Sequence, residues 1–235
     1  MTATTKSDVI VLAIDTSAAT SVAVVSGERG ILSEANGLDT MKHAEVIGRL
    51  IEQALTEAGV RPAELTAVVA GMGPGPFTGL RVGIAAAHAF AIGAGIDVLP
   101  VVSHDAVAFE RRAAGEHGEL LVVTDARRRE VYWSLYDLGA AEAVADSASP
   151  GASGESGGAR IAGAARRLDG PGLAKPDSLA YNAAARVDAT QVSAGALGTV
   201  ALGILESGDE FATGQALYLR SPDVTVSTSV KRVSQ

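Results

Sequence analysis

The chain has 235 residues, 47% of them apolar, 20% charged and 4% aromatic, with a net charge of −8. This is enough apolar chain for a buried core built mainly from Val, Leu, Ile and Ala, and the negative charge opposes independent binding to a phosphate backbone. Cysteine is absent, which excludes disulfides, thiolate metal sites and Cys nucleophiles and is compatible with a reducing compartment.

The first stretch, MTATTKSDVIVLAID, has a polar start and an apolar run of six residues. That is too short for the core of a signal peptide or for a membrane span, so the expectation is a soluble cytoplasmic protein. DVIVLAID (8 to 15) predicts a strand buried on both faces, and SVAVVSG (21 to 27) its hairpin partner. From His43 to Ala58 the sequence places Ile47, Leu50, Ile51, Ala54, Leu55 and Ala58 on one stripe, which predicts an amphipathic helix. LTAVVAGMG (65 to 73) reads as a buried strand entering a Gly/Pro loop. FTGLRVGIAAAHAFAIG, from Phe77 to about Gly93, reads as a helix that is apolar nearly all round.

DVLPVVS (97 to 103) predicts a further strand and DAVAFERRAA a helix ending at Gly115. ELLVVTDA (119 to 126) and VYWSLYDLG then form a second hairpin around the charged tip RRRE. Residues 139 to 160, rich in Ala, Ser and Gly, read as a flexible stretch. SAGALGTVALGILESG (193 to 208) predicts a helix despite its internal glycines; ALYLR is the last ordered-looking element before a tail expected to fray. Hairpin, helix and strand recur from about residues 8 and 119, which suggests two related α/β lobes.

The loop GMGPGPFTGLRVG (71 to 83) raises the first chemical question. It lacks the Lys of a P-loop and the third Gly of a dinucleotide fingerprint. Gly73 and Gly75 still allow close backbone approach, and the loop aims the start of a helix at whatever lies before it. It is either an anion cradle or a tightly packed strand-to-helix turn. In the preceding turn, Asp15, Thr16 and Ser17 are an acid and two hydroxyls suited to a metal-bound water and a phosphate, and equally common as turn formers. The four histidines, His43, His88, His104 and His117, never stand three or four residues apart, so no metal site is expected. No serine sits in a nucleophile elbow. Arg127, Arg128 and Arg129 form either a solvated hairpin tip or a contact for an anion or RNA. Gly79, Gly83 and Ala87 recur every four residues, a small-residue ridge that lets another helix approach closely.

Taken together, AIDTSAATSVAVV, HAEVIGRLIEQAL, GMGPGPFTGLRVGIAAAHAFA, PVVSHDAVA, VTDARRREVYW and ALYLR resemble the TsaB family, also called YeaZ. The resemblance is close over residues 8 to 137 and loose beyond, and the GPGPFTGLRVG block is its most specific part. It implies an α/β, two-lobed actin/sugar kinase/Hsp70-like (ribonuclease H-like) fold with a degenerate second lobe. Residues 1–115 would form the first lobe, 116–220 the second and 221–235 a flexible tail.

The resemblance further implies a non-catalytic scaffold and dimerisation subunit in tRNA threonylcarbamoyladenosine synthesis. Such a subunit binds the paralogue TsaD through a bundle of two helices from each partner. TsaE, an ATPase, engages the complex, and tRNA is reached only through it. No cofactor and no membrane are implied, and a homodimer is expected where TsaD is missing. The docking residues would be Ile47, Leu50, Ile51, Leu55, Gly79, Gly83 and Ala87, so that Gly83→Leu is expected to abolish TsaD binding and leave the monomer folded. Asp15, Thr16, Ser17, Gly73 and Gly75 would be a vestigial nucleotide site. The HxxxH metal pair of TsaD would fall on His104 and Ala108 or on Ser103 and Val107, neither of which offers two imidazoles. The rival is a self-sufficient ATPase or kinase of the same fold using Asp15, Thr16 and the Gly73/Gly75 loop.

Overall fold

Strand β1 (Ile10–Asp15) sends alternate side chains to opposite faces, as a pleated strand must. Val11 and Ala13 enter one apolar cluster and Leu12 and Ile14 another. β2 (Thr20–Ser26) and β4 (Ala67–Gly71) divide in the same way, Ala23, Val25, Ala67 and Val69 to the first cluster, Val22, Val24, Val68 and Ala70 to the second. A sheet covered on both faces is the result, as the unbroken apolar runs require. The computed structural model describes residues 9–37, 39, 42–140, 165–181 and 184–220. Most of the stretch from 139 to 160, and the whole tail from 221 to 235, lie outside them.

The first sheet has the order β3-β2-β1-β4-β5, completed by β3 (Gly30–Gly37) and β5 (Asp97–Val101). β1, β2 and β3 are antiparallel neighbours, while β4 and β5 run parallel to β1. The second sheet repeats the scheme as β8-β7-β6-β9, from β6 (Glu119–Asp125), β7 (Val131–Asp137), β8 (Arg166–Ala174) and β9 (Ala185–Asp188). Here too the meander is antiparallel and the fourth strand parallel to the first. The shared order makes this a two-lobed α/β fold of actin and sugar-kinase type with a reduced second lobe. Between β3 and β4 the first lobe has helix α1 (His43–Ala58); between β8 and β9 the second has a single 3-10 turn among the described residues.

α1 and α2 (Phe77–Ala94) cover one face of the first sheet, both ending on a left-handed glycine, Gly59 and Gly95. α3 (Ser103–Ala113) and α4 (Ala194–Ser207) lie on its other face, joining the lobes through one core that includes Val107, Leu120, Val122, Leu197 and Val200. α4 is capped by Ser193, whose Oγ accepts from the Ala196 N–H at 3.0 Å. Its Gly198 lets the helix press onto β2: a Cβ there would stand 2.7 Å from a Val25 methyl.

Both helices of the first face and the α4 helix follow the sequence reading closely. α3 starts two residues earlier than expected, at Ser103. β3, β8 and β9 were not legible, and ALYLR belongs to no helix or strand. It is held as a strap, by the Leu217 N–H donating to Met72 O at 2.8 Å and by the Tyr218 ring 4.7 Å from Phe77. By length and composition α2 could cross a membrane; here it lies along the sheet with Leu80, Ala87 and Ala91 buried.

Candidate functional site

Asp15 ends β1 at the sheet's centre, where the turn to β2 brings Thr16 and Ser17 beneath the Gly/Pro loop. All three are buried. One Asp15 carboxylate oxygen accepts from the Ser17 N–H at 2.8 Å and its hydroxyl at 2.6 Å, and the other from the Ser103 hydroxyl at 2.5 Å. Ser103 Oγ in turn accepts from the Gly73 N–H at 3.0 Å. Burial pushes the Asp15 carboxyl above its ordinary range, and the hydrogen bonds from Ser103 and Ser17 oppose that shift. The loop lies directly on this turn. A Cβ at Gly71 would stand 1.9 Å from Asp15 Oδ2, and one at Gly75 2.7 Å from the Ser17 carbonyl oxygen. The structure therefore brings Asp15, Thr16, Ser17, Gly73 and Gly75 together, with the polar atoms of the three turn residues bonded within the chain.

Thr16 has a structural task of its own. Its Oγ1 donates to the Gly79 carbonyl at 2.7 Å and accepts from the Gly83 N–H at 3.1 Å, the two groups that one turn of α2 would otherwise join. A Cβ at Gly83 would stand 2.2 Å from that hydroxyl, and one at Gly79 2.7 Å from the Thr16 carbonyl oxygen. These glycines are the seat of the β1–β2 turn. Ala87 continues the same inward line and is fully buried, as are Leu50 and, nearly so, Ile47 and Leu55. Six of the seven expected docking residues thus face the chain's own core, with Ile51 half-buried. The reason is geometrical: the stripe with the strongest helical periodicity is the one the sheet takes. It follows that Gly83→Leu would strike the monomer's own packing, which corrects the expectation that it would leave the fold intact.

The outer side of the same pair of helices is open, with small apolar residues lying among exposed Glu45, Arg49 and Glu52 on α1 and Arg81 and His88 on α2. On α2, Gly79, Leu80, Gly83, Ala87 and Ala91 are buried, and Ile84 and Phe90 are half-buried against the core. Ala85, Ala89, Ile92 and Gly93 are exposed along its outer side at spacings of three and four, and Ile92 is 80% exposed. On α1, Ala44 and Gly48 are exposed beside half-buried Ile51. A Cβ at Gly48 or Gly93 would meet no atom within 4 Å. The sequence signal for this face was present in an α2 that is apolar nearly all round, but periodicity could not say which side the sheet would take.

His104 and Asp105, at the start of α3, fasten the two lobes. His104 is fully buried, Nδ1 2.8 Å from Ser134 Oγ and Nε2 2.9 Å from Thr124 Oγ1. Burial, reinforced by the positive charge of Arg167, drives its pKa down to about 3. Asp105 accepts from Tyr136 Oη at 2.7 Å and from Arg167 Nη2 at 2.8 Å. Val107 and Ala108 are buried among apolar groups. Among the described residues, no three of His, Cys, Asp and Glu come together as metal ligands.

Between the lobes lies a cleft of about 720 Å³. His43, Ala44, Thr78, Gly79 and Val82 face it from the first lobe, and Thr124, Asp125, Arg127, Asp188 and Thr190 from the second. His43 is 8% exposed, with Nδ1 2.7 Å from Thr20 Oγ1. Burial and then the charge of Arg127 lower its pKa, against a smaller opposing effect of Asp39. Arg127, Arg128 and Arg129 all have positive φ, 66°, 54° and 65°, a conformation that costs L-residues of this kind about 1 kcal/mol each. The tip is braced by Arg220, which donates from Nη1 to the Ala126 carbonyl at 2.7 Å. His43 and Thr78 were not singled out from the sequence; a histidine at the first position of a helix beside a Gly/Pro loop was the available signal.

Residues 31–182 match the model of the family described as TsaD: tRNA N6-adenosine threonylcarbamoyltransferase. An uncharacterised protein of Mycobacterium tuberculosis is 46% identical over 128 residues, 54% of this chain and 58% of that protein. The tRNA threonylcarbamoyladenosine biosynthesis protein TsaB of Haemophilus influenzae is 36% identical over 124 residues, 52% of each chain. The chain thus spans about half the length of the curated relatives it matches. In three dimensions it is similar to YeaZ from Pseudomonas aeruginosa, with a TM-score of 0.68 at 24% identity over 90% of this chain and 100% of that one.

Proposed function

We propose that this chain, which belongs to the TsaD (tRNA N6-adenosine threonylcarbamoyltransferase) family and to its TsaB/YeaZ branch, serves threonylcarbamoyladenosine formation as a non-catalytic docking subunit. The observation that carries this reading is the set of small and apolar residues left uncovered on the outer side of α1 and α2. Exposed Ala44, Gly48, Ala85, Ala89 and Gly93 leave little side chain between a partner helix and the backbone, and Ile92 offers an apolar side chain beside them, so two helices of a TsaD-type transferase can pack closely there. The fold supports the same assignment of roles. Asp15 and Thr16, the groups a self-sufficient ATPase or kinase would need, already hold the Gly/Pro loop and α2 in place.

In this reading the docking surface is the outer one, in place of the set Ile47, Leu50, Ile51, Leu55, Gly79, Gly83 and Ala87, all buried except half-buried Ile51. The transferase carries the chemistry, a TsaE-type ATPase engages the pair in the cytoplasm, and tRNA is met through the complex. Without its partner the same face pairs with a second copy. The test is co-purification with the TsaD of the same organism, using Ala89→Arg. The expected outcome is capture by wild type and its loss in the variant, with an unchanged circular dichroism spectrum. Capture of the variant at the wild-type level would refute the assignment.

A further inference from the structure

The tip of the β6–β7 hairpin carries residues that its own backbone does not favour. The Glu130 N–H donates to the Arg127 carbonyl at 3.1 Å, so Arg128 and Arg129 are the two central residues of a tight turn, and both have positive φ, 54° and 65°. Asn-Gly is the pair that ordinarily fills such a turn, because those residues reach the left-handed region at little cost. Two arginines there, preceded by a third with φ of 66°, are a choice that folding opposes. All three are exposed. In a chain with a net charge of −8, three consecutive guanidinium groups on one tip are also a local reversal of sign. The carboxylates beside them hold the backbone: Asp125 accepts from the Arg127 N–H at 2.8 Å, and Glu130 lies 3.5 Å from Arg220 Nη2.

An aromatic pair stands next to the tip. Arg220, which donates from Nη1 to the Ala126 carbonyl at 2.7 Å, comes two residues after Tyr218, so the strap fastens Tyr218 close to the arginines. Tyr218 is 42% exposed and is backed by Phe77, with ring centroids 4.7 Å apart; the Arg81 guanidinium sits 5.1 Å from the Phe77 centroid. Arg127 lines the same cleft as Pro76 and Thr78, which flank Phe77 in sequence. Guanidinium groups around a partly open ring suit a nucleic-acid strand whose phosphates pair with the former and whose unstacked base lies on the latter. An acidic protein segment would use the arginines and leave the ring without a task.

We infer that Arg127, Arg128, Arg129 and Tyr218 form a contact for a single-stranded segment of the tRNA, made by this chain once the transferase is docked. The inference rests on the docking reading, because the negative charge of the isolated chain leaves the larger share of the affinity to the partner. It gives the docked subunit a second task, holding part of the substrate.

The experiment uses the complex with the TsaD of the same organism, an unmodified tRNA transcript as probe, and filter binding across a salt series. The variant is Arg128→Asn with Arg129→Gly, which supplies the residues that the turn prefers, so its Tm should equal or exceed that of wild type. The affinity of its complex for the transcript should fall by about tenfold at moderate salt, and the slope of log affinity against log salt should be shallower by about 1.4, two phosphate contacts at roughly 0.7 each. Tyr218→Ala should weaken binding by about fivefold or more and leave that slope unchanged, while Tyr218→Phe should bind as wild type does. Undiminished affinity in an intact complex of the double variant or of Tyr218→Ala overturns the inference and leaves the docking reading standing. Loss of the complex itself in the double variant also overturns it, since the tip is then a protein contact. Failure of the wild-type pair to assemble, seen by gel filtration before RNA is added, refutes the docking reading and this inference with it.

Discussion

On the inner face of α2, Gly79 and Gly83 are small because Thr16 and His43 press against them; on the outer face Ala85 and Ala89 are small and exposed, and a Cβ added at Gly93 would meet open space. The same residue type has two causes within one helix. Inside, each missing side chain can be traced to a named atom in the way, and the fold accounts for it fully. Outside, no atom of the described chain supplies a reason, and an apolar surface kept this flat is what a partner helix needs. The two buried histidines repeat the contrast. His104, bonded at both ring nitrogens, belongs to the fold, while His43, bonded at one, is left facing a cleft.

The strongest test of the inner face is Gly83→Leu. The side chain would have to occupy the place of Thr16 Oγ1 and break its bonds to the Gly79 carbonyl and the Gly83 N–H. Overpacking of this kind costs about 3 kcal/mol, a fall in Tm of about 6–12 °C for a chain of this size. Thermal unfolding followed by circular dichroism measures it. An unchanged Tm would mean that the Gly79/Gly83/Ala87 line is free after all, and the contrast between the faces would fail.

How much of this was legible beforehand differs by element. The periodic helices and the apolar strands β1, β2, β4 and β6 were readable because burial on both faces imposes runs that polar residues cannot interrupt. β3 and β8 are edge strands, open on one side, and their sequences GILSEANG and RRLDGPGLA carry polar residues and, in β8, a proline that an edge tolerates. β9 has four residues, too few to show a period. Asp15, Thr16, Ser17, Gly73 and Gly75 were correctly seen as one neighbourhood. That they bond mainly to one another depends on Ser103 and on the start of α2, both distant in sequence. The residues expected to dock lie on α1 and α2, six of the seven on the sides that the sheet takes, because helical periodicity marks the buried stripe and not the exposed one.

His104 offers a test by pH. Its pKa of about 3 in the fold lies below the roughly 6.5 of an unfolded chain, so below pH 6.5 the unfolded state takes up a proton that the folded state refuses. Its contribution to stability is complete above that value and is lost as pH falls from 6.5 toward 3. At pH 5 the loss is about 2 kcal/mol, one pKa unit being worth roughly 1.4 kcal/mol. Burial pushes the carboxyls of Asp15 and Asp105 up, and these act in the opposite sense. The measurement is therefore the difference between wild type and His104→Gln in urea unfolding at pH 7.5 and pH 5. The wild type should lose about 2 kcal/mol more than the variant. Equal pH dependence would mean that His104 is already protonated in the fold.

The smallest effect sharpens the comparison most. Ile92 is a large apolar side chain in the last turn of α2, four-fifths exposed. If the outer face is uncovered in the isolated chain, Ile92→Lys removes little buried area and puts a cation where the helix C-terminus favours one, so stability should change by less than about 0.5 kcal/mol. The same substitution in Gly83's neighbourhood would be ruinous, although both positions lie on one apolar helix. Urea unfolding at low protein concentration gives the value. A loss of about 2 kcal/mol would mean that Ile92 is covered in the free chain, by a second copy or by residues outside those described, and a concentration series distinguishes the two, since the stability of a self-paired chain rises with concentration. A change near zero leaves the outer face as a surface that folding does not need, and its apolar character then has to be explained by what binds there.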